Sequence, residues 1–189
     1  MAYQIISFLL DVVAGLLGGA CLLRLYMQYQ RVPFGNPVGR FVFALTDWLV
    51  LPLRRLLPAV GRWDTASIVG VLLVELAQFS LLWLLRGQPG EAVSLLAIAL
   101  FAVVRLVLSA LMALVIVYAV LSWVRAESPI TDVIDRLCAP LLRPFRKVIP
   151  LIGGIDLSPL ALLVLIQIAI FVLWGLAGYL GPIAILLRV

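Results

Sequence analysis

The stretch from Pro52 to Asp64 (Pro-Leu-Arg-Arg-Leu-Leu-Pro-Ala-Val-Gly-Arg-Trp-Asp) returns from Pro144 to Asp156 as Pro-Phe-Arg-Lys-Val-Ile-Pro-Leu-Ile-Gly-Gly-Ile-Asp. Both prolines, the first basic residue, a glycine and the aspartate keep one offset of 92 positions, and the second basic residue changes only from Arg55 to Lys147. The register continues outward without a gap, with Tyr26 matching Tyr118, Pro37 matching Pro129, Leu45 matching Leu137 and Phe79 matching Phe171. A register this long marks an internal duplication, so each half must build the same supersecondary unit. The halves are read as residues 1–92 and 93–189.

What that unit is follows from the apolar background. The chain is 65% hydrophobic and only 12% charged, against about 25% charged for a soluble domain, and its mean hydropathy is +1.23. The charges cluster, which leaves long uncharged runs for a bilayer. This predicts an all-α membrane protein with four transmembrane helices arranged as two parallel repeats, each carrying a cytoplasmic amphipathic interfacial helix. Span one runs over residues 4–28 and span two over 64–85. The apolar run from Glu91 to Trp123 is too long for one crossing of a ~30 Å core. The repeat register therefore puts span three at 96–120, with a connector or interfacial lead-in before Leu96, and span four at 157–180. No basic n-region precedes span one, and Asp11 interrupts it, so it reads as a retained span and not a signal peptide.

Between the spans of each half, Asn36-Pro37 and Ser128-Pro129 are helix starts, a capping side chain followed by proline at the first helical position. Val38, Phe41, Val42, Leu45 and Leu49 then fall on one helical face, repeated as Ile130, Val133, Ile134, Leu137 and Leu141. Pro52 is expected to break the first of these helices and Pro58 to end a short one after it. Gly61 allows a tight reversal. Asp64 and Asp156 are placed to N-cap the spans that follow. The basic pairs Arg54/Arg55 and Arg146/Lys147 sit in apolar surroundings at headgroup depth. They read as interfacial anchors or as sites for anionic lipid headgroups such as cardiolipin. Gly15 and Gly19 form a small-residue spacing, read as intramolecular helix packing.

Eleven basic residues lie on the side of the repeated motif and two, Arg86 and Arg188, on the side of the termini. The positive-inside rule puts the motifs in the cytoplasm and both termini outside. The net charge of +5 is thus a matter of topology, and no nucleic-acid partner is expected. The bilayer is the partner, with a membrane protein or a second copy as a further one. The two cysteines, Cys21 and Cys138, form no paired motif. Histidine is absent, and there is no nucleophilic triad, phosphate-cradling loop or exposed carboxylate cluster. No catalytic residue, metal site or cofactor is expected, and the chain is not read as an enzyme.

Three ionisable residues fall inside spans: Asp11, Glu75 and Arg105. Such residues face partners or cavities. One reading is a polar path through the four-helix core, with Glu75 and Gln167, its counterpart in the second half, as a midplane pair. The other is a structural ion pair of Arg105 with Asp11 or Glu75, Asp11 being nearer in repeat depth. One cation and two acids can nearly cancel in a small core, which favours the structural reading.

The doubled motif, the Asn-Pro and Ser-Pro helix starts and the four-span layout together resemble the YggT (YlmG) family over essentially the whole chain. The resemblance implies a small bacterial inner-membrane protein with a part in osmotic-stress tolerance and potassium homeostasis, acting as a membrane scaffold or modulator. Plastid relatives imply instead an assembly role for membrane complexes. An ion-conducting protein using Asp11, Glu75 and Arg105 is the alternative.

Overall fold

The computed structural model describes residues 1–86, 92–124, 128–149 and 156–178. Its six helices are α1 (Ala2–Tyr29), α2 (Pro37–Leu56), α3 (Thr65–Arg86), α4 (Ala92–Val124), α5 (Pro129–Val148) and α6 (Ser158–Gly178). Helices α1, α3, α4 and α6 are each long and apolar enough to cross a membrane. Within the halves, α1 packs on α3 and α4 on α6. The halves meet where α4 touches α1 and α3, and where α2 touches α5. Val42 of α2 and Val133 and Leu137 of α5 are buried there with Met27 of α1, and the Tyr26 hydroxyl of α1 donates to the Leu137 carbonyl of α5 at 2.9 Å.

Helices α2 and α5 begin as the sequence predicts. The Asn36 side chain accepts from Gly39 N at 2.8 Å, and Ser128 accepts from Thr131 N at 3.2 Å. Pro52, however, does not break α2, which continues to Leu56, and Pro144 likewise lies within α5. Both prolines are on exposed faces, so the carbonyl each leaves unbonded is not sealed in a core. Buried Val50 and Leu142 hold the turns before them. The helices end where a proline comes next. Leu57 and Ile149 both leave helical geometry (ψ 84° and 110°), as residues preceding proline do. Gly61 then turns the chain at φ 62°, closing a reversal in which Val60 and Trp63 exchange backbone bonds of 3.1 Å.

Three further readings need correction or delimiting. No connector separates 92 from 96: α4 is one helix of 33 residues, roughly 50 Å long at 1.5 Å per residue, because nothing from Ala92 onward interrupts its helical preference. Gly15 and Gly19 do not mediate packing, since a Cβ at either would meet nothing within 4 Å. It is Gly18 that faces a neighbour, with Leu106 2.6 Å from where its Cβ would be. The turn at residues 87–90, Arg125, Glu127, Pro150, Gly153 and the end of span four beyond Gly178 lie outside the described residues.

Candidate functional site

The repeated motif explains itself once folded, because its arginine and its aspartate pair with each other. Arg54 Nη2 lies 2.6 Å from Asp64 Oδ2, and Arg54 Nε donates to Asp64 Oδ1 at 3.3 Å. In the second half Arg146 Nε lies 2.8 Å from Asp156 Oδ2. The pairs tie the end of α2 to the start of α3 and the end of α5 to the start of α6, with the partners ten positions apart in both halves. That shared spacing was the available signal, and sequence reading gave both aspartates to capping.

Capping survives only in part. Asp156 accepts the Ser158 amide at 2.9 Å, a first-turn donor. Asp64 sits at the cap position, yet its carboxylate is bonded to side chains: Arg54, and Ser67 Oγ at 2.7 Å. Arginine and serine compete for the same lone pairs as the amides, and here they hold them. Burial alone would raise the Asp64 carboxyl. The bonds from Arg54 and Ser67 and the charges of Arg54 and Arg24 outweigh it and keep the group below its ordinary value. At Asp156 burial is likewise outweighed, by the Ser158 bonds and by Arg146.

Around Asp64 the first half builds a partly buried network that has no equal among the described residues of the second. Arg24, only 2% exposed, donates from Nη1 to Asp47 at 2.6 Å and to Thr46 at 2.7 Å, and its Nε lies 3.8 Å from Asp64. Gln28 accepts from Arg54 at 2.9 Å. Two guanidinium groups and two carboxylates thus neutralise each other across α1, α2 and the start of α3. From the sequence Arg24 is only one of the eleven basic residues counted on the motif side. Its spacing of four from Gln28, on one face of α1, was the missed sign. In the second half the positions of Arg24, Gln28 and Asp47 hold Ile116, Val120 and Ala139. There Arg146 turns instead to Tyr118, donating to its hydroxyl and lying 5.8 Å from its ring centre.

The basic pairs are therefore divided. Arg54 and Arg146 are taken by aspartate, while Arg55 and Lys147 stay exposed. Arg146 is exposed too, at 43%, so its link to Asp156 does not seal it from its surroundings.

Within the spans, Asp11, Glu75 and Arg105 do come into one cluster, where the Arg105 charge acts on both carboxyl groups. The predicted ion pair is not formed: among the described residues Arg105 makes none with either acid. Asp11 is held by Gln78, which donates to its Oδ1. Gln78 was overlooked although it stands three residues from Glu75, on the same face of α3. Glu75 is 2% exposed, and its Oε2 has no hydrogen-bond partner among the described residues. Gln167 is exposed on the outer face of α6 and does not meet Glu75. The repeat register sets these two at one depth but does not fix which way each helix faces.

The CCB3/YggT family matches residues 3–85 and 97–177. The YggT protein of Escherichia coli K12 is 34% identical over 168 residues, 86% of either chain. A Vibrio alginolyticus protein encoded 3' of proC is 32% identical over 175 residues, 91% of this chain and 95% of its own. A Pseudomonas aeruginosa protein is 36% identical over 165 residues, covering 85% and 84%. All three are uncharacterized proteins. No solved structure matches the chain. With both halves matched in separate segments and relatives aligned over most of their length, the chain belongs to the CCB3/YggT family.

Proposed function

We propose that the protein is a non-enzymatic scaffold or modulator of the bacterial inner membrane, serving osmotic-stress tolerance and potassium homeostasis. In this reading residues 1–92 and 93–189 are parallel repeats, both termini are periplasmic, and α2 and α5 lie as amphipathic helices at the cytoplasmic interface. The observation that carries it is the pair of arginine–aspartate links. They tie α2 to α3 and α5 to α6 and leave Arg55, Lys147, Trp48 and Trp63 exposed, residue types suited to lipid headgroups or a membrane partner.

A second reading, an ion path through Asp11, Glu75 and Arg105, is favoured by the unpartnered Oε2 of Glu75. Potassium flux into liposomes containing the purified protein separates the two. The scaffold reading expects no flux above protein-free vesicles, while a null strain regains osmotic tolerance with the wild-type chain and with Glu75→Gln alike. Flux that Glu75→Gln abolishes would overturn it in favour of the ion path. Reporter fusions at residue 189 test the orientation, and a cytoplasmic C-terminus would reverse it.

A further inference from the structure

Helices α1 and α4 touch at Gly18 and Leu106. The space between them is an open groove of about 850 Å³. Its walls are aliphatic and aromatic, with Ser109 the one hydroxyl besides those of Tyr26 and Tyr29. Gly15 and Gly19 stand on one wall with nothing within 4 Å of where a Cβ would be. At the far end the groove reaches Tyr29, Phe41 and Trp63.

Length narrows what such a groove can hold. From Gly15 to Tyr29 the wall of α1 is roughly 21 Å long at 1.5 Å per residue, and Gly15 is near the middle of that helix. The groove thus serves one leaflet of a ~30 Å core and the headgroup layer beyond it. A second transmembrane helix needs an apolar wall across the whole core. A single acyl chain does not.

Charge narrows it further. The Arg62 guanidinium lies 5.1 Å from the centre of the Tyr29 ring, which packs at 5.0 Å on Trp63. Arg40 directly precedes the lining residue Phe41. Both arginines are exposed, and among the described residues neither is in an ion pair. A second copy inserted in the same orientation would bring its own basic motif side against these cations. An anionic headgroup would neutralise them.

We propose that the groove between α1 and α4 is a binding site for an anionic glycerophospholipid of the motif-side leaflet. One acyl chain lies along Gly15 and Gly19, and the phosphate is held at Arg40 and Arg62 beside the Tyr29 and Trp63 rings. The proposal requires only that the four apolar helices cross a bilayer, and it stands or falls separately from the scaffold reading.

The test is lipid retention by the full-length protein. It is reconstituted in phosphatidylcholine nanodiscs containing phosphatidylglycerol, extracted mildly and weighed by native mass spectrometry. Phosphatidylglycerol should be retained in preference to phosphatidylcholine. Replacing both cations (Arg40→Gln with Arg62→Gln) should weaken its binding roughly thirtyfold, the effect of two interfacial charges at their usual strength. Gly19→Leu should fill the groove and remove the retained lipid with unchanged helicity and melting temperature, since its side chain enters open space. Equal retention of the two lipids, or undiminished phosphatidylglycerol on Gly19→Leu, would overturn the proposal. So would a disulfide-linked dimer formed through Gly19→Cys in the nanodisc, which would give the groove to a second copy.

Discussion

Removing the motif aspartate should hurt the two halves very unequally, although the motif is the same. Asp64 is fully buried, and its partner Arg24 is 2% exposed. In Asp64→Ala, Arg54 loses its carboxylate and Arg24 keeps only Asp47 and Thr46. Breaking such a network at its buried member costs up to about 3–5 kcal/mol, because Arg24 cannot reach water, whereas Arg54, 35% exposed, can be solvated in part. Asp156 is 19% exposed and Arg146 43%. In Asp156→Ala the freed guanidinium can be solvated, so the ion pair itself contributes about 0.2–1 kcal/mol. Loss of the Ser158 amide bond adds an effect in the range of an N-cap, about 0.5–2 kcal/mol. The expected gap between the variants is about 2–3 kcal/mol, with Asp64→Ala the worse. Reversible unfolding in mixed micelles of rising dodecyl sulfate fraction, followed by circular dichroism, measures it. A repeat at high salt should weaken the contribution of Asp156 and leave that of Asp64 nearly unchanged. Equal losses, within about 0.5 kcal/mol, would refute the argument from burial.

Both aspartates have folded pKa values below the ordinary range. Their stabilisation is therefore fully present above the unfolded value of about 3.9 and is lost as pH falls through the folded values. A melting-temperature profile should decline below about pH 4, and it should flatten in the double variant Asp64→Ala/Asp156→Ala. In the intramembrane cluster, Gln78→Leu should cost about 1–3 kcal/mol by stripping Asp11 of its hydrogen-bond donor. Arg105→Met should cost less, reversing the order that an Arg105–Asp11 pair would give in the same unfolding assay. Arg31 ends α1 at φ 57°, with Val32 N bonded to Met27 O at 2.9 Å and Arg31 N to Gln28 O at 3.1 Å, a Schellman end that favours glycine. Arg31→Gly should raise stability by about 1 kcal/mol, again read from the unfolding midpoint.

The parts of the fold governed by local rules were legible. Asn36 and Ser128 announced their helices because a capping oxygen acts within three residues, and Gly61 announced its turn because a positive φ selects glycine. Four apolar runs were plain because length and hydropathy are properties of a single segment. What escaped depended on rotation and on competition between partners. Pro52 looked like a break because its penalty is local, while burial of Val50 and continuation to Leu53 are not. Arg105 at the depth of Asp11 looked like its partner, yet Gln78 faces that carboxylate. Depth follows from residue number, but facing depends on how α1, α3 and α4 pack.

The divergence of the halves bears on which features the shared architecture needs. Arginine and aspartate ten residues apart are kept in both, so tying the amphipathic helix to the next span is needed wherever that corner is made. Everything that buries the link differs. Arg24, Gln28 and Asp47 surround it in the first half, and one tyrosine serves in the second. The first corner is centred on Arg24 and Asp64, both buried, while at the second Asp156 and Arg146 are 19% and 43% exposed. Glu75 and Gln78 are buried on α3, while Gln167 faces outward on α6. A pseudo-symmetric pore needs equivalent groups turned toward a shared axis, and these are not. What the two halves share is therefore one corner design set in different surroundings.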